Sequence, residues 1–415
     1  MSVRPPFPLR FSISLLQVCA VVSIAACALS MAGAATKKTL YAFGSRHGAH
    51  PLGTLVLDTA GNLYGTTEVG GILTCGPDGT GGCGTVFQLA PQPGGTWKLH
   101  TLHNFAGGTD GALPYAGVIL DAAGNLYGTT AAGGYVKNAS FGYGTVFELS
   151  PGVGGWTETI LHTFATQAPD GEAPVAPLVF DQSRNLYGTT EGGTGCGTGT
   201  IFQLAPNPQG GWTQNVLHCF PVAQLAYPEA GVIFDTAGNL YTTTSEDGPY
   251  NGGTVVQLVP SAGSWTDNVL YDFTRAAGLS PSASLIPDKN GNLYGITYGS
   301  FYQLTPSEGG WTYSILYEEP AGSAAIGLYS LIIDEEGNFY GTGIGPGSLN
   351  GAVVKITHEK NGWHQRVLYN FKGGADGSDP RGGLVLDQQG NLYGTTVFGG
   401  KNCERGCGTV FEITP

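Results

Sequence analysis

The sequence predicts an all-β chain folded as a seven-bladed β-propeller of four-stranded antiparallel blades. Three observations carry the prediction. Glycine numbers 69 and proline 25 among 415 residues and only 11% of residues are charged, so runs of helix formers at a period near 3.6 are scarce. Short runs of Val, Ile, Leu, Tyr, Phe and Thr bounded by Gly, Pro, Asn and Asp fill the chain instead, as strands and turns do. The third observation is a ten-residue phrase written seven times: DTAGNLYGTT from Asp58, DAAGNLYGTT from Asp121, DQSRNLYGTT from Asp181, DTAGNLYTTT from Asp235, DKNGNLYGIT from Asp288, DEEGNFYGTG from Asp334 and DQQGNLYGTT from Asp387. These aspartates stand 63, 60, 54, 53, 46 and 53 residues apart, room for about four short strands with their turns.

At the N-terminus Arg4 and Arg10 precede an apolar run from Phe11 to Ala32 that ends in small residues. Residues 1–35 therefore read as an export signal, with Ala32-Gly33-Ala34 as the small-x-small site and cleavage after Ala34 or Ala35. Ile24-Ala25-Ala26-Cys27 also resembles a lipobox, and the alternative is a lipid anchor on Cys27. The apolar run continues past Cys27, as in a simple signal. The expected product is one domain, residues 36–415, secreted or periplasmic and monomeric. No other stretch has the 18 to 20 or so apolar residues of a membrane helix, so no transmembrane segment is expected in the mature chain. The formal charge is −13, and both signal arginines leave without an acid. Nucleic acid is excluded as a partner, because no basic surface exists to displace phosphate counterions.

Each unit has the same four parts. In the last, Gly383–Asp387 is the innermost strand A, Asn391–Thr396 strand B and Gly408–Ile413 strand C, while a Trp-headed strand such as Trp363–Phe371 is the outermost strand D. A lone twisted sheet leaves both faces open, so seven stack around an axis. In the phrase, the aspartate ends strand A, the Gly-Asn pair supplies turn conformations with positive φ, and Leu and Tyr alternate across strand B. The phrase reads as a building element rather than as chemistry. Thr39–Phe43 matches the second half of a D strand, and the chain closes just after a C strand. The N-terminal strand is therefore expected to complete the blade containing Asp387 and seal the ring.

The phrase, with a Gly-rich stretch and G-T-V-F-E/Q-L/I after it, resembles the GloVer-type tandem repeat of secreted bacterial "choice-of-anchor" proteins over nearly all of residues 39–415. That resemblance implies export and repeat architecture and no established activity. More distantly, GNLY after an A strand is similar to the NHL and lactonase-like propellers, a group with both binding modules and enzymes.

The A–B and C–D turns are short and uniform, whereas the B–C and D–A loops share the opposite face and vary. Variation on a fixed scaffold is where binding sits. The B–C loops are longest in units one, two and seven (68–83, 131–143 and 397–407) and shortest in unit five, predicting a wall beside the seam and a notch opposite. Six cysteines remain after the signal. Cys75 with Cys83 and Cys403 with Cys407 lie within two long loops, and Cys196 with Cys219 makes a third candidate disulfide; spacing alone leaves connectivity open.

His103, His162 and His218 occupy the D-strand position of Tyr41, Tyr271, Tyr317 and Tyr369 and read as packing replacements. His100, His358 and His364 receive no role. His47 and His50 differ, since both lie in a D–A loop beside the seam. Eleven residues before each repeat aspartate stand His47, Asp110, Asp170, Gln224, Ala277, Ser323 and Asp376. Ring closure would set His47 and His50 among Asp110, Asp376 and Asp379, a candidate binding cluster at the channel mouth able to hold a divalent cation or share protons. Asp-Gly at these positions is also ordinary turn chemistry ahead of the proline that six units carry seven residues before the repeat aspartate. No nucleophile elbow, zinc helix or phosphate loop is present, so no catalytic residue is assigned and no cofactor is expected beyond a possible divalent cation. The leading expectation is a non-enzymatic propeller that presents its variable face to an extracellular protein or glycan. The competing one is a propeller hydrolase or lyase with a cation-assisted site at the channel mouth.

Overall fold

The computed structural model describes residues 35–75, 81–134, 142–165, 169–193, 195–221, 226–274, 278–281, 283–297, 299–318, 327–345, 347–400, 403 and 406–415. The export segment with Cys27 lies outside the described residues, as do Gln224, Ala277 and Ser323. Seven four-stranded antiparallel sheets are present. Blade one holds strand A at Val56–Leu57, B at Leu63–Thr67, C at Thr85–Pro91 and D at Trp97–Asn104. In blade seven the N-terminal strand Thr36–Ala42 pairs with strand C, Thr409–Thr414, outside Leu392–Thr396 and Val385–Leu386. The ring is thus closed by the chain's first strand, three residues earlier than the match to other D strands suggests.

Strand A is only two residues long in six blades but seven in blade six, Gly327–Ile333. Proline is the cause. Six units place Pro51, Pro114, Pro174, Pro228, Pro281 or Pro380 at the head of the segment, where the missing N–H ends the ladder. Gly327 stands there in blade six and pairs with Ile344.

The repeat aspartate organises each A–B turn. Asp58 Oδ1 accepts the N–H groups of Ala60 (2.9 Å) and Asn62 (2.8 Å), while Oδ2 accepts the Asn62 amide (2.8 Å) and the Tyr64 hydroxyl (3.1 Å). Tyr64 in turn accepts from Gln88 on strand C, at 2.9 Å. The same Asn and Tyr bonds recur at Asp121, Asp181, Asp235, Asp288, Asp334 and Asp387. One expectation is corrected: only the glycine of the Gly-Asn pair takes positive φ, 83° at Gly61, and the asparagine contributes its amide instead. In blade three Arg184 replaces the glycine, at φ 67°. Its guanidinium pairs with Asp121 of the neighbouring blade.

Blades stack through aromatic contacts. Phe43, at the end of the N-terminal strand, meets Phe87 of blade one at 5.1 Å, and Phe105–Phe147, Phe164–Phe202, Phe273–Tyr302 and Phe371–Phe411 repeat the contact at 5.0 to 5.3 Å. The strand-C ring lies over the glycine of strand B, its cross-strand partner. A Cβ on Gly65 would stand 2.8 Å from the Phe87 ring, and one on Gly394 2.6 Å from Phe411. Blade four alters both partners, with Thr242 opposite Val256.

The Gly–Phe pairing predicts non-additive energetics. Gly65→Thr overpacks the blade and costs about 1–3 kcal/mol, and Phe87→Val leaves a cavity and loses the Phe43 contact. The double variant, which copies blade four, should cost less than the sum in a denaturant titration; additivity refutes the coupling.

Closure makes a second prediction. Lys37, with its side chain 3% exposed, donates to Asp376 Oδ1 at 2.9 Å and to the Asp376 carbonyl at 2.8 Å. Lys37→Ala should cost about 1.5–3 kcal/mol, as charged hydrogen bonds do. Deleting residues 35–43 should lower the melting temperature further and promote aggregation through the bared edge of strand C. Unchanged melting of the deletion refutes the seam.

Acid sensitivity follows from the turns. Burial opposes ionisation of Asp58, but bonds from Asn62, Tyr64 and Ala60 outweigh it and hold the carboxyl below its ordinary 3.8. Asp121, Asp235, Asp288, Asp334 and Asp387 are lowered likewise. A depressed folded pKa gives stability that is present above the unfolded value and lost as pH falls through the folded one. The melting temperature should therefore drop steeply below about pH 4, with a shallower slope in Asp58→Asn measured by calorimetry.

Candidate functional site at the channel mouth

Each D–A loop crosses from the outer strand of one blade to the inner strand of the next. Its last residue before the proline is left-handed: φ is 57° at His50, 58° at Leu113, 53° at Ala173, 43° at Tyr227, 54° at Ser280 and 58° at Asp379. For a non-glycine residue this costs about 1–2 kcal/mol. Backbone bonds hold it in place. His50 N–H donates to the Cys407 carbonyl of blade seven at 2.9 Å, and the His50 carbonyl accepts Glu68 N–H of blade one at 3.0 Å. Leu113 repeats the pattern with Cys83 and Ala131, Ala173 with Tyr143 and Glu191, and Asp379 with Asn350 and Val397. The variable face therefore ends in a rim of strained residues, four of which, His50, Leu113, Ala173 and Asp379, bridge two blades.

Inside the rim runs a channel of about 440 Å³ lined by the A segments of all seven blades. Leu52, Tyr115, Val175, Glu229 and Arg381, each six residues before its repeat aspartate, enter the lining. In blade six the ladder shifts register between Leu328 and Ser330, and Tyr329 takes that place. One wall is acidic. Burial and the charges of Glu68 and Glu191 push Tyr115 up to about 12. Partial burial and Glu229 raise Glu191, while Glu229, open to channel solvent yet flanked by protein, is raised by that enclosure and by Glu246. On the other wall Arg381 Nε donates to Asp379 Oδ2 at 2.9 Å and the guanidinium lies 5.8 Å from the Tyr329 ring.

The sequence candidates distribute themselves along the loops. His47 is exposed and ends the 3-10 turn Ser45–His47, matching Gly108–Asp110 and Gly374–Asp376. His50 Nδ1 lies 3.6 Å from Glu68, its ring edge-on to Phe398 of blade seven. Asp110 accepts Ala106 N–H at 2.6 Å and lies 3.2 Å from His103 Nε2. Asp376 accepts Lys372 N–H, the Tyr369 hydroxyl and Lys37. Asp379 Oδ1 is buried with no partner. Among the described residues no three of His47, His50, Asp110, Asp376 and Asp379 bring ligand atoms within 4.8 Å of one another; His103, Asp110 and Glu158 do. The reason is loop direction. The 3-10 turn aims its aspartate at the D strand it has just left, while the left-handed residue three positions on faces the rim.

The D-strand histidines pack as the tyrosines do. His103, His162 and His218 stand edge-on to Phe105, Phe164 and Phe220, as Tyr41 does to Phe43. Two also bond the loop aspartate, His103 to Asp110 and His162 to Asp170. At the first junction burial opposes ionisation of Asp110, but His103, Glu158 and Ala106 N–H hold it at about 2, and burial with Asp110 pushes Glu158 up to about 9. Sequence reasoning missed Tyr115, Glu229, Tyr329 and Arg381. For Tyr115, Glu229 and Arg381 the available signal was the position six before the repeat aspartate, which differs from unit to unit while its neighbours are proline and small residues; Tyr329, brought in by the register shift of blade six, had none. Disulfides join Cys75 to Cys83, Cys196 to Cys219 and Cys403 to Cys407, with Cα separations of 5.4, 4.8 and 5.5 Å.

The chain is similar in fold to solved propellers. One is the extracellular domain of a protein assigned as a hybrid two component system in B. thetaiotaomicron, 15% identical with a TM-score of 0.53, covering 92% of this chain and 41% of that one. The chain thus spans about two fifths of that structure's length. Proteins assigned as 6-phosphogluconolactonases from Bacteroides uniformis ATCC 8492 and Bacteroides fragilis NCTC 9343 are 12% and 14% identical, each with a TM-score of 0.51; they cover 80% of this chain, which covers 88% and 87% of theirs. These likenesses concern the fold alone. No curated protein sequence matches. The repeat itself is recognised: the Gloeobacter/Verrucomicrobia repeat model matches residues 72–300, more than half of the chain, which therefore belongs to that family.

Proposed function

We propose that the chain is an exported, non-enzymatic propeller that binds an extracellular glycan at its channel mouth. One observation carries the reading. On a scaffold whose building residues are nearly constant, the position six before the repeat aspartate changes from Leu52 to Tyr115, Val175, Glu229 and Arg381, all of them lining the channel. A pocket of about 440 Å³ is of small-ligand size, and aromatic rings beside a few polar groups suit a sugar ring. The acidic wall disfavours anions, so the ligand class is a neutral or amino sugar. Three disulfides support export, because such bonds persist in oxidising compartments.

A hydrolytic reading has one specific support, the raised carboxyls of Glu191 and Glu229, since a carboxyl that keeps its proton at higher pH suits general-acid work. A glycan array followed by calorimetry on the mature chain separates the two. Saturable binding of a neutral or amino sugar is expected, weakened about tenfold or more by Tyr115→Ala, a loss of about 1.4 kcal/mol. Turnover of a bound saccharide that disappears in Glu229→Gln would replace this proposal with the hydrolytic reading. Binding only to proteins, or sugar binding indifferent to Tyr115→Ala and Arg381→Ala, would refute it.

A further inference from the structure

At three junctions between blades three positions meet: the D-strand Tyr or His, the loop aspartate eleven before the repeat aspartate, and a residue on the next D strand. Between blades six and seven these are Tyr369, Asp376 and Lys37, and the Lys37 ammonium balances the carboxylate at 2.9 Å. Between blades two and three they are His162, Asp170 and Gln214, whose amide donates to Asp170 Oδ1 at 2.9 Å. Between blades one and two the third corner is Glu158, so two carboxylates share one imidazole.

We propose that His103, Asp110 and Glu158 bind a divalent cation of the zinc class. His103 Nε2 lies 3.2 Å from Asp110 Oδ1 and 3.6 Å from Glu158 Oε2. A tetrahedral ion with bonds of about 2.0–2.1 Å separates its ligands by about 3.3–3.4 Å, so one ion fits between these atoms. Glu158 supplies an independent sign of a missing partner: its side chain is 11% exposed and its Oε1 is buried with no hydrogen bond. One imidazole with two carboxylates suits zinc better than calcium, which takes six to eight oxygens. The frame is rigid. The Cys75–Cys83 disulfide lies against Gly107, where a Cβ would stand 3.0 Å from Cys75 Sγ, directly before the turn carrying Asp110. A bound ion would clamp blades one and two together, away from the channel and independently of what the mouth binds.

The test is zinc chloride titrated into the metal-stripped mature chain, read by melting temperature and by calorimetry. One equivalent should bind and raise the melting temperature. Glu158→Gln copies the neighbouring junction, so it should fold, and its affinity for zinc should fall at least tenfold; His103→Tyr, the residue of other junctions, should do the same. The His47→Ala, His50→Ala double variant should bind zinc as the unaltered chain does. An unaltered chain whose melting temperature ignores zinc overturns the proposal. So does a site that survives Glu158→Gln, or one lost in the His47 and His50 variant, which would place the ion at the mouth.

Discussion

The close approach of a strand-C ring to a strand-B glycine is the contact on which the rest of the ring depends. Because Gly65 has no Cβ, Phe87 lies across its cross-strand partner and meets Phe43 of the preceding blade. Five junctions are built this way. At the third, Phe220 faces Val256, and the glycine across the ladder has become Thr242. The volume lost on one strand returns on the other, as close packing demands. Between blades five and six both rings are missing: Val354 stands on strand C, and Glu319, outside the described residues, stands where the D-strand phenylalanine would be. Burial there comes from Trp363, within 5.5 Å of Phe301 and 5.7 Å of Phe339. The constraint is filled volume between neighbouring sheets, and phenylalanine is its commonest solution.

What was legible in the sequence is what repeats. Blade number, strand order and closure by the N-terminal strand follow from a period and from two chain ends that complement each other, and each is a one-dimensional property. Cysteines sharing a unit made three candidate pairs whose connectivity spacing alone left open, and the structure joins them in those pairs. The unreadable part is direction. His47, Asp110 and Asp376 share a position, and closure does bring blade seven against blade one, as the contact of His50 with Phe398 shows. Yet a left-handed residue at position 50, 113 or 379 turns the chain sharply, sending the preceding aspartate outward and the following side chain inward. No residue type announces this, since histidine, leucine, alanine, tyrosine, serine and aspartate all occupy the left-handed site. The proline after it and the recurring glycine of the C strand mark it only in retrospect, through their contact, as where Gly408 lies against Pro51.

Strain of this kind persists only where the surroundings over-determine it. Here His50, Leu113, Ala173 and Asp379 each give the N–H to one blade and the carbonyl to the next, so relaxing any of them would break two bonds that join sheets. These four residues make the rim stiff. Side chains two residues further on, Tyr115, Glu229 and Arg381 among them, are thus projected from a fixed frame, and little ordering entropy is left to be spent on binding. The one unpartnered buried oxygen of Asp379 lies in this frame beside Arg381.

The D–A loops that carry Asp110, Asp170 and Asp376 therefore serve two rings at once, an inner rim and an outer set of junctions. The outer set shows how a repeat acquires singular chemistry. Lysine with aspartate and tyrosine, glutamine with aspartate and histidine, and two stacked tyrosines at 4.1 Å fill equivalent spaces, because each arrangement leaves its buried polar groups paired or removes them. A buried acceptor without a partner carries a desolvation cost of about 1–3 kcal/mol. Glu158 breaks the rule with two carboxylates and one imidazole in a space where its neighbours keep charge in balance. Since the surrounding strands are the same as at the other junctions, packing does not require the second acid, and Gln214 shows that an uncharged side chain of the same length fits. The excess negative charge at that corner is answered by a proton held on Glu158 beside Asp110 or by the cation proposed above, and the bare Oε1 marks the corner that the protein alone leaves incomplete.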